Sequence, residues 1–182
     1  MKSAKTRPGR KKEVQKKAAP FDRRDFRRAL GQFATGVTVV TAQAKNGRPV
    51  GLTVNSFASV SLDPPLVLWS LSRQASDFEE LKDAGHFAVN VLSARQHSLS
   101  RQFSTTLPDK FAGVDFEKAA DGSPLLKGAT AQFICRVIKR FEGGDHVILL
   151  GEVENYQWHE GEPLVFHSGR YHVTTRHPEL PD

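Results

Sequence analysis

Asn46-Gly47 stands between two runs of strand-forming residues, "VTVVTA" (Val37 to Ala42) and Val50 to Ser61. An Asn-Gly pair between β-branched segments reads as a hairpin turn, so this junction commits the chain to paired antiparallel strands. The second arm is unusual, because Val50 to Leu62 carries no charged side chain. Read as one strand, it puts Thr53, Asn55, Ser59 and Ser61 on one face and Leu52, Val54, Ala58 and Val60 on the other. A solvent-facing strand ordinarily shows Lys, Glu or Arg. Hydroxyls and an amide without charge predict either a ligand lying against that face or a buried strand whose polar groups satisfy one another.

The remaining chain continues in the same style. Asp22 as N-cap, Asp25 three residues later, and Phe26, Ala29, Leu30 and Phe33 at helical spacing predict a first helix, which Gly36 stops. Asp63-Pro64-Pro65 breaks the chain before a strand at "LVLWSLS" (Leu66 to Ser72), followed by a short helix capped by Ser76 and closed by Gly85. Phe87 to Leu92 returns as strand, and Ser93 caps a second amphipathic helix through Leu99 and Phe103. Leu107 to Gly128, punctuated by Pro, Gly and Asp, reads as a long loop. The last third is a meander: Ala131 to Phe141, the turn "EGGD", His146 to Trp158, the turn "HEGEP" and "LVFHSGRYHV". Many strands with few short helices and no GxGxxG fingerprint predict a mainly β fold, a closed or nearly closed antiparallel barrel.

Charge narrows the function classes only after it is located. The formal charge of the 182 residues is +6, but residues 1–19 hold eight Lys/Arg against Glu13, which gives +7 there and −1 for everything else. The expected organisation is a basic, disordered arm at 1–19, one domain at 20–176 and a short tail at 177–182. The arm lacks the apolar stretch of a secretory signal, and no run of about 18 apolar residues exists to span a membrane. A single cysteine, Cys135, excludes an intramolecular disulfide and fits a reducing cytoplasm.

Candidate chemistry is sparse. The seven histidines form no HxxxH, CxxC or His/Asp grouping, so no metal site is expected. Cys135, between Ile134 and Arg136, reads as a packed small hydrophobe. Ser56 stands beside Asn55, where a strand irregularity would turn both toward one ligand. Hydroxyls and amides there suit phosphate oxygens or the edge of a flat heterocycle. Ser70, Ser72 and Ser76 flank a strand end and a helix start, where unpaired N–H groups attract phosphate, although Ser76 is equally an ordinary N-cap. "GGDH" (Gly143 to His146) places a histidine at a hairpin tip, and "GRYH" (Gly169 to His172) places Tyr171 between basic groups.

Taken in order, "FATGVTVVTA", "GLTVNSFASVSLDPPLVLWSL", "FAVNVLS", "DKFAGV", "GSPLLKGATAQFICRV", "GGDHVILLGEV" and "PLVFHSGRYH" resemble the short-chain flavin reductases, the reductase components of two-component flavin-dependent monooxygenases. The resemblance covers about Phe26 to Val173. It implies an FMN-binding split β-barrel, Greek-key-like and usually homodimeric, that passes hydride from NADH or NADPH to FMN or FAD. It assigns Thr53, Val54, Asn55 and Ser56 to the ribityl and phosphate region of the flavin, and Ser59, Val60 and Ser61 to the isoalloxazine. Ser72 and Ser76 fall where the family reaches toward phosphate. His146 inherits a place beside the nicotinamide, and Tyr171 is a further cofactor contact.

Such a reaction needs two rings held face to face and no protein nucleophile or metal, which agrees with the absence of any triad or ligand cluster. The reduced flavin would pass to a separate oxygenase. Two other readings share the same residues: a split-barrel flavoprotein that holds FMN tightly and reduces another acceptor, and a non-catalytic flavin- or nucleic-acid-binding barrel whose basic arm tracks phosphates.

Overall fold

The computed structural model describes residues 21–179; the basic arm at 1–19 and the last three residues of the tail lie outside them. Seven antiparallel strands form the main sheet, in the order β3-β2-β6-β9-β10-β5-β4. The strands are β2 (Thr38–Gln43), β3 (Pro49–Val54), β4 (Ala58–Leu62), β5 (Pro65–Ser72), β6 (His86–Val91), β9 (Ala131–Gly143) and β10 (His146–Trp158). A second sheet joins β1 (Thr35–Gly36), β11 (Val165–His167) and β12 (Arg170–His172), and a ribbon pairs β7 (Phe116–Lys118) with β8 (Pro124–Leu126).

The strand order itself dictates closure. β3 and β4 occupy opposite edges of the main sheet, yet only residues 55–57 separate them in the chain. Three residues span about 10 Å at most, so the sheet must curl until its two edges face one another. The expected barrel is therefore present, with its seam at Asn55-Ser56-Phe57. This corrects the reading of Val50 to Ser61 as one strand. Only β3 pairs with β2; β4 pairs with β5, with a register shift between Ser59 and Ser61. The four polar residues of that segment are accordingly divided, Thr53 on β3, Asn55 at the seam, and Ser59 and Ser61 on β4.

The hairpin forms as its Asn-Gly signal dictates. Gly47 adopts φ +83°, Ala44 N–H donates to the Arg48 carbonyl at 2.9 Å, and Asn46 Oδ1 accepts from Arg48 N–H at 3.0 Å. β2 is covered on both faces, which is why "VTVVTA" reads as a continuous run rather than an alternation. On one side lies the barrel core, including Val40, Trp69, Leu71, Phe87, Cys135 and Leu149. On the other, Val37, Val39, Leu92, Phe103, Phe111 and Leu126 form a second cluster. Asn90, fully buried, pins β8 against the sheet: its Nδ2 donates to the Val39 carbonyl at 3.1 Å, and its Oδ1 accepts from Leu126 N–H at 2.8 Å.

Helices are short and peripheral. α1 (Arg23–Leu30) begins at the expected cap, since Asp22 accepts from the backbone N–H groups of Arg24 and Asp25. It ends at Gly31 and not at Gly36, and Phe33, beyond its end, is 78% exposed. α2 (Phe78–Asp83) starts one residue later than expected, with Asp77 in the capping position, and ends at Ala84. Ser76 is therefore not its N-cap. Ser93 heads a capping box with Gln96, and a 3-10 turn at Ala94–Gln96 leads into α3 (His97–Ser104). Among the described residues, no helix is long and apolar enough to cross a membrane.

Candidate functional site

At the seam the β3 end and the β5 end part, and a cleft of about 280 Å³ opens between them. The chain must leave β3 for the far edge of the sheet here, so its ladder hydrogen bonds stop. Ser56 replaces one of them with its side chain: Oγ accepts from Ser70 N–H at 3.0 Å and donates to the Ser70 carbonyl at 3.3 Å. Thr38 Oγ1 donates to the Val54 carbonyl at 3.0 Å and holds the last residue of β3. The seam is thus tied down by two hydroxyls.

Thr53, Val54, Asn55, Ser56, Ser72 and His146 all line this cleft. His146 arrives from β10, where it pairs with Ser72 of β5, so the register of two adjacent strands sets it opposite the 53–56 segment. Its ring is fixed further by Asp145, whose Oδ1 lies 2.8 Å from Nδ1. An ionised carboxylate can only accept, so Nδ1 carries the proton and Nε2 is left for another partner. That same bond, followed by the charge of the ring, holds the Asp145 carboxyl below its ordinary range.

Not every expected residue reaches the cleft. Ser59, Val60 and Ser61 lie on β4 beyond the seam and do not line it. Ser76 also stays outside; its Oγ is 3.5 Å from Asp77 Oδ2. Tyr171 acts at one remove: its hydroxyl is 2.9 Å from Ser100 Oγ, and the Ser100 carbonyl accepts from Thr53 Oγ1 at 2.7 Å. Gln74 and Ala75, which the motifs did not single out, line the cleft on the β5 side. Lys110 was also missed. Only 6% exposed, its ammonium donates to the Gly51 carbonyl of β3 at 3.2 Å and pairs with Asp77 at the same distance. Its pull anchors the segment after α3 to the strand that carries Thr53.

The chemistry of the lining favours an acceptor-rich ligand. No carboxylate lines the cleft. The Asn55 amide has no hydrogen-bond partner among the described residues, and residues 55–57 lie between β3 and β4, outside both strands. Ser72 Oγ accepts from Gln74 N–H at 3.3 Å and keeps its own proton to donate. Such donors match the carbonyls and ring nitrogens of a flavin edge, or phosphate oxygens. A flavin therefore fits the residues present. Cys135 takes no part: it is buried in the barrel core, where desolvation pushes its thiol up to about 12.

Comparison with known proteins agrees with this geometry. Residues 30–175 match the family model described as flavin reductase like domain. The FMN reductase (NADH) SmoA of Agrobacterium fabrum is 49% identical over 148 residues, 81% of this chain and 84% of the relative. The reductase component of the flavin-dependent trigonelline monooxygenase of Acinetobacter baylyi is 42% identical over 81% of this chain and 48% of its own length. The chain spans 45% and 61% of two further curated relatives, both from Rhizobium meliloti. The structure of the Streptomyces globisporus NADH:FAD oxidoreductase SgcE6 in complex with NAD and FAD fragments superposes with a TM-score of 0.81 at 39% identity, covering 91% of this chain and 99% of that one. A curled antiparallel sheet with its cleft at the seam, matched in sequence from the end of α1 through β12, places the chain in the flavin reductase-like family.

Proposed function

We propose that this chain is an NAD(P)H:flavin oxidoreductase that supplies reduced FMN or FAD to a separate oxygenase. The observation that carries the reading is the carboxylate-free, donor-rich cleft at the barrel seam, with His146 facing the 53–56 segment across it. When bound there, the flavin supplies the acceptor for a hydride leaving the nicotinamide. The chain's own part is to orient and to exclude water. Thr53, Asn55, Ser56 and Ser72 hold the flavin's polar edge and phosphate region through hydroxyl and amide donors, and His146 holds the nicotinamide nucleotide against it. None of these residues is an ionic clamp, which suits a flavin that must leave after reduction. Relatives named as monooxygenase reductase components support an oxygenase as the recipient.

The deciding experiment is anaerobic mixing of catalytic amounts of protein with NADH or NADPH and excess FMN or FAD, followed at about 450 nm, where oxidised flavin absorbs. Multiple-turnover bleaching is expected, and the best pair names both cofactors. No bleaching with any pair defeats the proposal, while bleaching of one equivalent only, on protein that keeps its flavin, favours a tightly held FMN and another acceptor. Asn55→Ala removes one unshared donor, worth about 1 kcal/mol, and is expected to raise the flavin Kd roughly fivefold. An unchanged Kd by fluorescence titration removes Asn55 from the site.

A homodimer and a cytoplasmic location belong to the same proposal. Phe57, Phe133 and Tyr156 form a ladder with ring centroids 5.6 and 6.5 Å apart that ends in solvent, with Tyr156 64% exposed. Leu62 on the edge strand β4 is 94% exposed. Covering these side chains with a second copy is expected to give a solution mass twice that of one chain; sedimentation equilibrium at the mass of a monomer discards it.

A further inference from the structure

The hairpin tip that carries His146 is built from the loosest residues available. Gly143 pairs with His146 across a two-residue turn of Gly144 and Asp145, and Gly144 adopts φ +74°. Two successive glycines lose more conformational freedom on ordering than any other pair, so such a tip does not hold its own position. Arg73 holds it from the neighbouring strand. It is the first residue after β5. Its backbone N–H donates to the Asp145 carbonyl at 3.0 Å, its Nε donates to the Gly144 carbonyl at 3.3 Å, and its terminal nitrogen pairs with Glu142 on the opposite side of the turn. The guanidinium carbon lies 5.7 Å from the centre of the Phe78 ring, which fixes the plane of the fork.

We propose that Arg73 is the positioning residue for the nicotinamide side of the site, acting through the 142–146 turn on His146; the inference rests on the reductase reading above. Three consequences of chemistry support it. Both arms of the fork are needed to bind a carbonyl and a carboxylate at once, and lysine has one point of attachment where arginine has two. The ion pair with Glu142 is solvent-exposed, so its effect on overall stability is small and its effect falls on where the turn sits. Arg73 also lies between Ser72 and Gln74, both in the cleft lining, so one residue links the flavin-facing β5 end to the turn that places His146.

The test compares Arg73→Met, Arg73→Lys and Glu142→Gln with the unmodified chain in the anaerobic assay, with flavin binding measured separately. Loss of one or two hydrogen bonds at the turn is expected to raise the NAD(P)H KM roughly five- to tenfold in Arg73→Met, with kcat at saturating nucleotide kept within about twofold and flavin Kd unchanged. Arg73→Lys is expected to recover part of the KM, and Glu142→Gln, which keeps the bond to Gly144, to lose the least. Amide exchange of 142–146 in flavin-free protein gives a readout without turnover, and it is expected to quicken in Arg73→Met. Turnover by the unmodified chain with an unchanged KM in Arg73→Met overturns this inference alone, as does a KM rise matched by an equal loss of flavin affinity. Absence of turnover by the unmodified chain with every cofactor pair overturns the reductase reading and the inference with it.

Discussion

Gly151→Ala is expected to unfold at a markedly lower denaturant concentration than the parent chain, with the slope of the transition unchanged. Gly151 lies in the middle of β10, facing the barrel core. A Cβ built there meets Phe87 Cζ at 2.5 Å, closer than real contacts allow, and Cys135 Cβ at 3.1 Å, a contact tight enough that the neighbour must give by a few tenths of an ångström. Phe87 cannot step aside easily, because it is 1% exposed and its ring lies edge-on to Trp69 with centroids 5.8 Å apart. Overpacking of this kind costs about 1 to 3 kcal/mol, and the rigidity of two packed aromatics puts Gly151 near the upper end. Gly85→Ala supplies the control. Nothing lies within 4 Å of the position its Cβ would take, and its φ lies outside the left-handed region, so its stability is expected to change by less than about 1 kcal/mol in either direction. Equal midpoints for the two variants in a urea titration would show that the core around Phe87 relaxes and that the packing argument fails.

The contrast between those glycines marks where sequence reading succeeds and where it stops. Strand identity was legible because it is local. The hairpin signal at Asn46-Gly47, the β-branched run of β2 and the long arms of β9 and β10 all announce themselves within a dozen residues. The crossing from one sheet edge to the other at 55–57 was not, because Asn-Ser-Phe contains neither glycine nor proline and alternation continues through it unbroken. Its cause is the pairing of β4 with β5, a contact the segment itself does not encode. The ribbon of β7 and β8 was read as loop for a related reason: strands of three residues give no period to detect, and Asn90, far away in sequence, holds them in place.

The same division runs through the site. Thr53, Asn55, Ser56, Ser72 and His146 were singled out through motif resemblance, and the structure places all five around one cleft at the barrel seam. The same resemblance assigned Ser59, Val60 and Ser61 to the isoalloxazine, and they lie on β4, outside the lining of the cleft. Arg73 and Lys110 escaped notice because a lone basic residue is uninformative until its partners are known. Arg73 meets Gly144 across 71 positions, and Lys110 meets Gly51 across 59. Residues that touch a ligand directly leave a local trace in type and spacing, whereas residues that position others are defined by long-range contacts.

His146→Ala carries the largest expected effect on turnover. The imidazole lines the cleft opposite the 53–56 segment, and Asp145 holds its Nδ1 so that Nε2 is the nitrogen left to meet a ligand. No hydroxyl or amide of the 53–56 segment depends on it: Ser56 is held by Ser70, Thr53 by Ser100 and Val54 by Thr38. Truncation should therefore weaken the nicotinamide nucleotide while leaving the flavin seat intact. The expected result is an NAD(P)H KM raised roughly tenfold, equivalent to about 1.4 kcal/mol, with a flavin Kd within about twofold of the parent. His146→Gln, whose amide can still present a hydrogen-bonding atom near the same place, should fall between the two. The split between the constants is what discriminates. A fall in kcat with KM unchanged would mean that the ring acts only in the hydride-transfer step, and a parallel loss of flavin affinity would place His146 on the flavin. The second result would move the nicotinamide away from the β10 hairpin tip, and with it the role assigned here to the turn that Arg73 holds, whereas the first would keep the ring beside the nicotinamide and change its part from binding to hydride transfer.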